Sequence, residues 1–217
     1  MPPSNTREAK RDTLIGAAVE LLLSEGVAGC TTRAIAEKSG MPRGSIHYYF
    51  EDTEQLVELA WKRLMGGFYG ELENAADTAA GPLEAVWAVA DAYLRLGSRA
   101  TSQVPLVAFE YLVVAKRKGR LDGPQAVLLA HRSLLTRVLT AADVGDPDAV
   151  AANLHRSLVG ALIHQEIAAT ETETVLREIM APLGIHPPAV GNGKANPSLD
   201  IAAGGSRGAK KGSTATN

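Results

Sequence analysis

The sequence predicts an all-α fold, and three observations carry that prediction. Apolar residues recur at three- and four-residue spacings in segment after segment, the period of a half-buried helix. Alternating runs of β-branched and aromatic residues, the mark of strands, are scarce. Glycine and proline gather at the breaks between periodic segments and toward the C-terminus. With 217 residues, 46% of them hydrophobic, the chain can bury the core of a small module and of a larger body.

The first helix is expected over Asn5 to Glu25. Asn5 and Glu8 stand at capping-box spacing, Leu14, Ala17, Ala18, Leu21 and Leu22 share one face, and Gly26 stops it. Val27 to Cys30 forms a link. Cys30 precedes a helix start, where a thiol pKa can fall, but a free cysteine is more often a small buried hydrophobe, and that is the role expected here. A short helix follows, with Thr31 and Thr32 as hydroxyl caps, Ile35 and Ala36 inward, and Ser39-Gly40 as a left-handed stop. The next begins with Pro42 in its first turn, and Ile46 and Phe50, four apart, pack back on the helix before it. Arg43, Gly44, Ser45, His47 and Tyr48 are left facing outward. Two short helices around a glycine turn, braced by the first helix, read as a three-helix helix-turn-helix module over residues 1–51.

Asp52 and Gln55 are spaced as a cap and its reciprocal partner, so a connector helix is expected from Thr53 to about Asn74, with Gly66-Gly67 as a possible bend. It opens a helical body over residues 52–185. Pro82 to about Gly97 places Leu83, Val86, Trp87, Ala90 and Leu94 on one side. Val104 to Lys118 is apolar nearly all round, with Glu110 a lone charge between Phe109 and Tyr111. The helix from Asp122 to about Asp143 aligns Val127, His131, Leu134 and Val138. Asp146-Pro147-Asp148 starts another that reaches Ala169, and a last short helix runs from Thr174 to Ala181. Residues 186–217 hold too few large apolar side chains to fold alone and are expected to be disordered.

The run TTRAIAEKSGMPRGSIHYYFEDTEQL, Thr31 to Leu56, resembles the DNA-binding signature of the tetracycline repressor (TetR) family of bacterial transcription regulators. The threonine opening, Ile-Ala, the Ser-Gly turn, Gly-Ser-Ile and the aromatics closing on Phe50 are specific together. Two positions depart from the family pattern: His47 stands where members often have tyrosine, and Thr53 where they have a lysine that grips a phosphate. The resemblance implies a DNA-contacting set of Thr31, Thr32, Arg33, Pro42, Arg43, Gly44, Ser45, His47, Tyr48 and Thr53. It also implies an Ω-shaped homodimer on a palindromic operator, with a C-terminal ligand-binding and dimerisation domain. The last two body helices would pair with their mates as a four-helix bundle, using the small-residue face Ser157, Gly160, Ala161 and Ala168. An effector cavity would draw on Trp87, Tyr93, Phe109, Glu110 and His131, and suit an apolar or aromatic molecule with one hydrogen-bonding or cationic group.

The net charge of −2 would not by itself suggest nucleic acid. Placement does: Arg7, Lys10 and Arg11 ahead of the first helix, with Arg33 and Arg43 opening the motif helices, can form one basic stripe. The single cysteine excludes an intrachain disulfide framework, and no apolar run reaches the roughly 20 residues that span a bilayer, so a cytoplasmic protein without membrane attachment is expected. No phosphate-cradling loop, nucleophile elbow or close metal-ligand spacing occurs, so no catalytic residue, cofactor or metal is expected. A DNA-binding regulator without a small ligand and an all-helical enzyme are the alternatives, since distant residues can converge in a fold.

Overall fold

The computed structural model describes residues 4–98, 103–168 and 170–187, and the expected disordered tail lies outside them but for its first two residues. Among the described residues there are nine α-helices and no strand: α1 Ser4–Gly29, α2 Thr32–Ser39, α3 Gly44–Tyr49, α4 Thr53–Asp77, α5 Pro82–Ser98, α6 Val104–Arg117, α7 Asp122–Ala141, α8 Pro147–Ala168 and α9 Thr172–Met180. A single 3-10 turn, Ala181–Leu183, follows α9.

The boundaries follow local chemistry. Gly26 breaks α1 with φ 71° and ψ −171°, a region essentially closed to residues with a Cβ, so the regular helix ends where expected. The Thr31 hydroxyl accepts from the Ala34 amide at 3.1 Å and starts α2. Gly40, left-handed at φ 67°, ends it, and the Met41 amide folds back on the Ala36 carbonyl at 3.1 Å. Asp52 Oδ1 accepts from the Gln55 amide at 2.7 Å while Gln55 Oε1 accepts from the Glu51 amide at 2.9 Å, a reciprocal cap that launches α4.

Four expectations need correction. Pro42 precedes α3 by two residues instead of sitting in its first turn; its carbonyl accepts from the Ser45 amide at 2.9 Å and so primes the helix from outside. Arg7, Lys10 and Arg11 belong to α1 itself, not to an arm before it. The connector α4 runs unbroken through Gly66 and Gly67 to Asp77, because buried Leu64, Met65, Phe68 and Leu72 hold its inner face on both sides of the pair. The last helix starts at Thr172, two residues early.

One apolar core runs through the molecule. Leu14, Ala18 and Leu22 of α1 share it with Ile35 of α2, Ile46 of α3 and the buried face of α4, and α1 packs on α2 and α4. Helix α4 also packs on α5 and α7, and α5 lies against α7, α8 and α9. The rod α4 is therefore shared by the helix-turn-helix module and the body. Helix α6 also touches α1 and α4, so the body reaches that module by two routes.

Candidate functional site

The outward face of the helix-turn-helix is built by burying its other face. Ile46 at 0% and Phe50 at 4% exposure anchor α3, which leaves Arg43, Gly44, His47 and Tyr48 exposed and Ser45 half-buried. Thr31, Arg33 and Pro42 are exposed as well, while Thr32 and Thr53 are half-buried. The Thr32 and Thr53 hydroxyls lie 2.7 Å apart and tie α2 to the first turn of α4. One donates to the other, so the accepting hydroxyl keeps its own proton free to donate outward.

Two further residues join this face. The Arg7 guanidinium lies 5.6 Å from the Tyr48 ring centroid, and Arg11 stands 5.2 Å from the Phe50 ring. Tyr49 meets Tyr48 edge-on at 4.8 Å. The first turns of α1 thus bring two cations beside α3, and Tyr48, 67% exposed, stands against one of them, Arg7. The i, i+4 spacing of Arg7 and Arg11 was the signal in the sequence; that they share a helix with the brace decides their direction.

A second feature lies in the body. A cavity of about 360 Å³ is lined by Trp61, Met65 and Phe68 of α4, Tyr93 of α5, Val104, Pro105, Ala108, Phe109 and Leu112 of α6, Pro124, Gln125, Val127, Leu128 and His131 of α7, and His155, Val159 and Leu162 of α8, with Leu121 before α7. Leu112 and Leu128, at 41% and 43% exposure, place its mouth between α6 and α7. Deeper in, His131 is ringed by Phe68, Tyr69, Tyr93 and His155, with centroids 5.5 to 6.0 Å away. Burial, and then His155, hold its pKa down at about 4, so it is neutral at neutral pH. His155 is also held below the usual range, by burial first and then by Arg132 and Arg156, and its Nε2 stands 3.4 Å from the Tyr93 hydroxyl. Burial pushes the Tyr93 phenol up.

Of the five residues expected at a cavity, Tyr93, Phe109 and His131 line it and two do not. Trp87 is buried in the core elsewhere on α5. Glu110 points the other way from Phe109: its Oε2 accepts from the Val27 amide at 2.9 Å, just past the Gly26 break near the end of α1. The residues of α4 and α8 were missed, because nothing local marks which side of an apolar helix faces a void.

Glu110 belongs to a junction between body and head. Just past the end of α6, Lys118 and then Arg120 reach Glu54 in the first turn of α4, at 2.5 and 3.6 Å. A cavity of about 370 Å³ lies between these elements, bordered by Val27, Thr31, Thr32, Thr53, Glu58 and Tyr111 among others. Tyr111 stacks on Trp61 at 4.4 Å, so one aromatic pair separates the two cavities. Cys30 also borders the junction; burial, then Glu110 and Glu25, raise its thiol to about 12, and it is an inert packing group. Among the described residues no three His, Cys, Asp or Glu side chains gather in a way that could hold a metal. No helix among them is long and apolar enough to cross a membrane.

Residues 14–60 match the family model described as bacterial regulatory proteins, tetR family. Over 76 residues the chain is 32% identical to the HTH-type transcriptional repressor KstR2 of Mycolicibacterium smegmatis, a match that covers 35% of this chain and 37% of that one. It is 24% identical over 172 residues to the HTH-type transcriptional regulator BetI of Rhizobium meliloti, covering 77% of this chain and 83% of that protein. Among solved structures, a transcriptional regulator of Streptomyces coelicolor A3(2) superposes with a TM-score of 0.66 at 27% identity, over 79% of this chain and 96% of its own. A TetR family regulator of Cytophaga hutchinsonii gives 0.70 at 15% identity over 87% and 100%, a likeness of fold.

Proposed function

We propose, for a chain that belongs to the TetR family of transcriptional regulators, that it is a repressor which binds a palindromic operator as a homodimer and is released by a small molecule. The observation that carries this reading is the face of α3. Arg43 at the N-cap of α3, and His47 and Tyr48 within it, are exposed, the helix's opposite side is locked into the core by Ile46, and Arg7 flanks Tyr48. A short helix held this way fits a major groove, with Arg43 matched to the O6 and N7 edge of guanine. Thr31, Thr32, Arg33, Tyr48 and Thr53 would grip the phosphates on either side, with Pro42, Gly44 and Ser45 close to the backbone. Arg7 and Arg11 would supply the cationic contacts that Thr53 cannot.

Residues 1–51 would form the DNA-reading domain of a cytoplasmic protein, and residues 52–185 its ligand-binding and dimerisation domain. The dimer reading is supported by α8. Its outer face presents Ser157, Gly160, Ile163 and Ile167, the last 81% exposed, and an isoleucine that open on a helix of small residues favours close approach of a second helix. Effector response is supported by α6, in which Phe109 borders the cavity and the next residue, Glu110, holds the link into the reading head. A molecule that shifts α6 must move Glu110 with it, and the Trp61–Tyr111 stack carries the same displacement toward α4. Coupling is reciprocal, so an effector that weakens operator binding is itself bound less tightly by the same factor when operator is present.

The test is selection of bound fragments from the source genome. An inverted repeat with half-sites about one helical turn apart, or a multiple of it, supports the proposal. Enrichment of unrelated sequences, or of none, counts against it.

A further inference from the structure

Among the described residues that line the cavity, none is Asp, Glu, Lys or Arg. Glu110, next to the lining Phe109, spends its Oε2 on the Val27 amide, and Asp122, next to the lining Leu121, is exposed. Both lining histidines are neutral at neutral pH, because burial disfavours their charged forms. A carboxylate or an ammonium group entering this space would surrender its hydration with no counter-ion among the described lining residues, a cost of several kcal/mol per ion.

The wall is not wholly inert. Trp61 Nε1 and His131 Nε2 are buried and find no hydrogen-bond partner among the described residues, and their residues, at 2% and 6% exposure, both line the cavity. An unpaired buried polar atom is a standing cost that a ligand oxygen can relieve. The indole nitrogen only donates, whereas His131 Nε2 donates or accepts according to tautomer, and a hydroxyl group satisfies either.

We infer that the effector is an uncharged, largely hydrocarbon molecule carrying one hydroxyl or carbonyl oxygen, its carbon skeleton against Phe68, Phe109 and Val159 and its oxygen at His131 or Trp61. This identity presupposes the effector response proposed above and narrows it: the cationic group that a Glu110-lined cavity would have favoured is excluded.

The experiment uses four probes on one ring system, naphthalene, 2-naphthol, 2-naphthoate and 2-naphthylmethylammonium, titrated into the full chain by calorimetry at pH 7.5. 2-Naphthol is expected to bind tightest, with both ions at least about tenfold weaker. His131→Phe, which keeps an aromatic ring and removes the nitrogens, is expected to bring 2-naphthol down to the affinity of naphthalene, while Trp61→Phe does so if the indole is the partner. Ala108→Trp, which fills the cavity, should abolish binding of all four. Either ion binding as tightly as 2-naphthol, no probe binding, or binding that survives Ala108→Trp overturns the inference. Operator affinity measured with each probe separates the two claims: neutral-selective binding that leaves operator affinity unchanged would sink the effector response and leave the cavity chemistry standing, and release by a charged probe would do the reverse.

Discussion

Gly26 and Glu110, 84 positions apart in the chain, are expected to be energetically coupled. Gly26 takes φ 71° and ψ −171°, which frees the Val27 amide from the α1 ladder, and Glu110 Oε2 accepts that amide at 2.9 Å. A hydrogen bond to a carboxylate contributes about 1.5–3 kcal/mol, and the half-buried setting puts this one near the lower figure. A Cβ built on Gly26 would lie 2.5 Å from that same Oε2, so Gly26→Ala must expel the carboxylate as well as strain the backbone by about 1–3 kcal/mol. In the Glu110→Ala background nothing remains to be expelled, and only the strain is left. Urea unfolding of the parent, both single variants and the double variant, at one protomer concentration, should therefore give a double variant more stable than the sum of the singles implies, by about 1–2 kcal/mol. Glu110→Gln, whose amide oxygen still accepts, should lose less than Glu110→Ala. Additivity within about 0.5 kcal/mol would refute the coupling and with it the route from the cavity to the reading head.

Three other outcomes follow from the same structure. Arg43→Ala should cost about 1–3 kcal/mol of operator affinity and relax one base position, read by titrating single-base variants at fixed salt; an unchanged base preference would remove Arg43 from the reading set. His131 stays neutral in the folded state down to about pH 4, whereas the unfolded chain takes up a proton near 6.5, so its contribution to stability is intact above that range. As pH falls from about 6.5 toward 4 that contribution is lost, by roughly 3 kcal/mol, and His131→Phe should flatten the fall in unfolding free energy measured across the window. Cys30, with its thiol raised to about 12, should resist iodoacetamide at pH 8 in the native protein and react promptly once urea unfolds it, as followed by mass spectrometry.

The reading head was legible because its determinants are local. Caps, a left-handed glycine and an i, i+4 pair lie within a few residues of what they fix, and Thr31, Gly40, Asp52, Ile46 and Phe50 behave as their spacing predicts. The cavity was only partly legible because its walls come from five helices. Periodicity alone does not settle the choice: Val104 and Pro105, about 100° apart on α6, both line the cavity, whereas Glu110, the same angle from Phe109, does not. That Glu110 needed a polar partner was clear from its apolar surroundings. That the partner is the Val27 amide depends on α6 crossing α1, which no local pattern records.

The proposed repression is tested most directly by titrating the full chain against the selected genomic fragment and against a duplex carrying one half-site, at one salt concentration, with sedimentation fixing how many chains each duplex holds. The account predicts two chains on the full site, at least about a hundredfold weaker binding to the half-site, and loss of the full-site complex when Arg43 and Tyr48 are both replaced by alanine. One chain per duplex, equal affinity for the two DNAs, or indifference to the double substitution would contradict it.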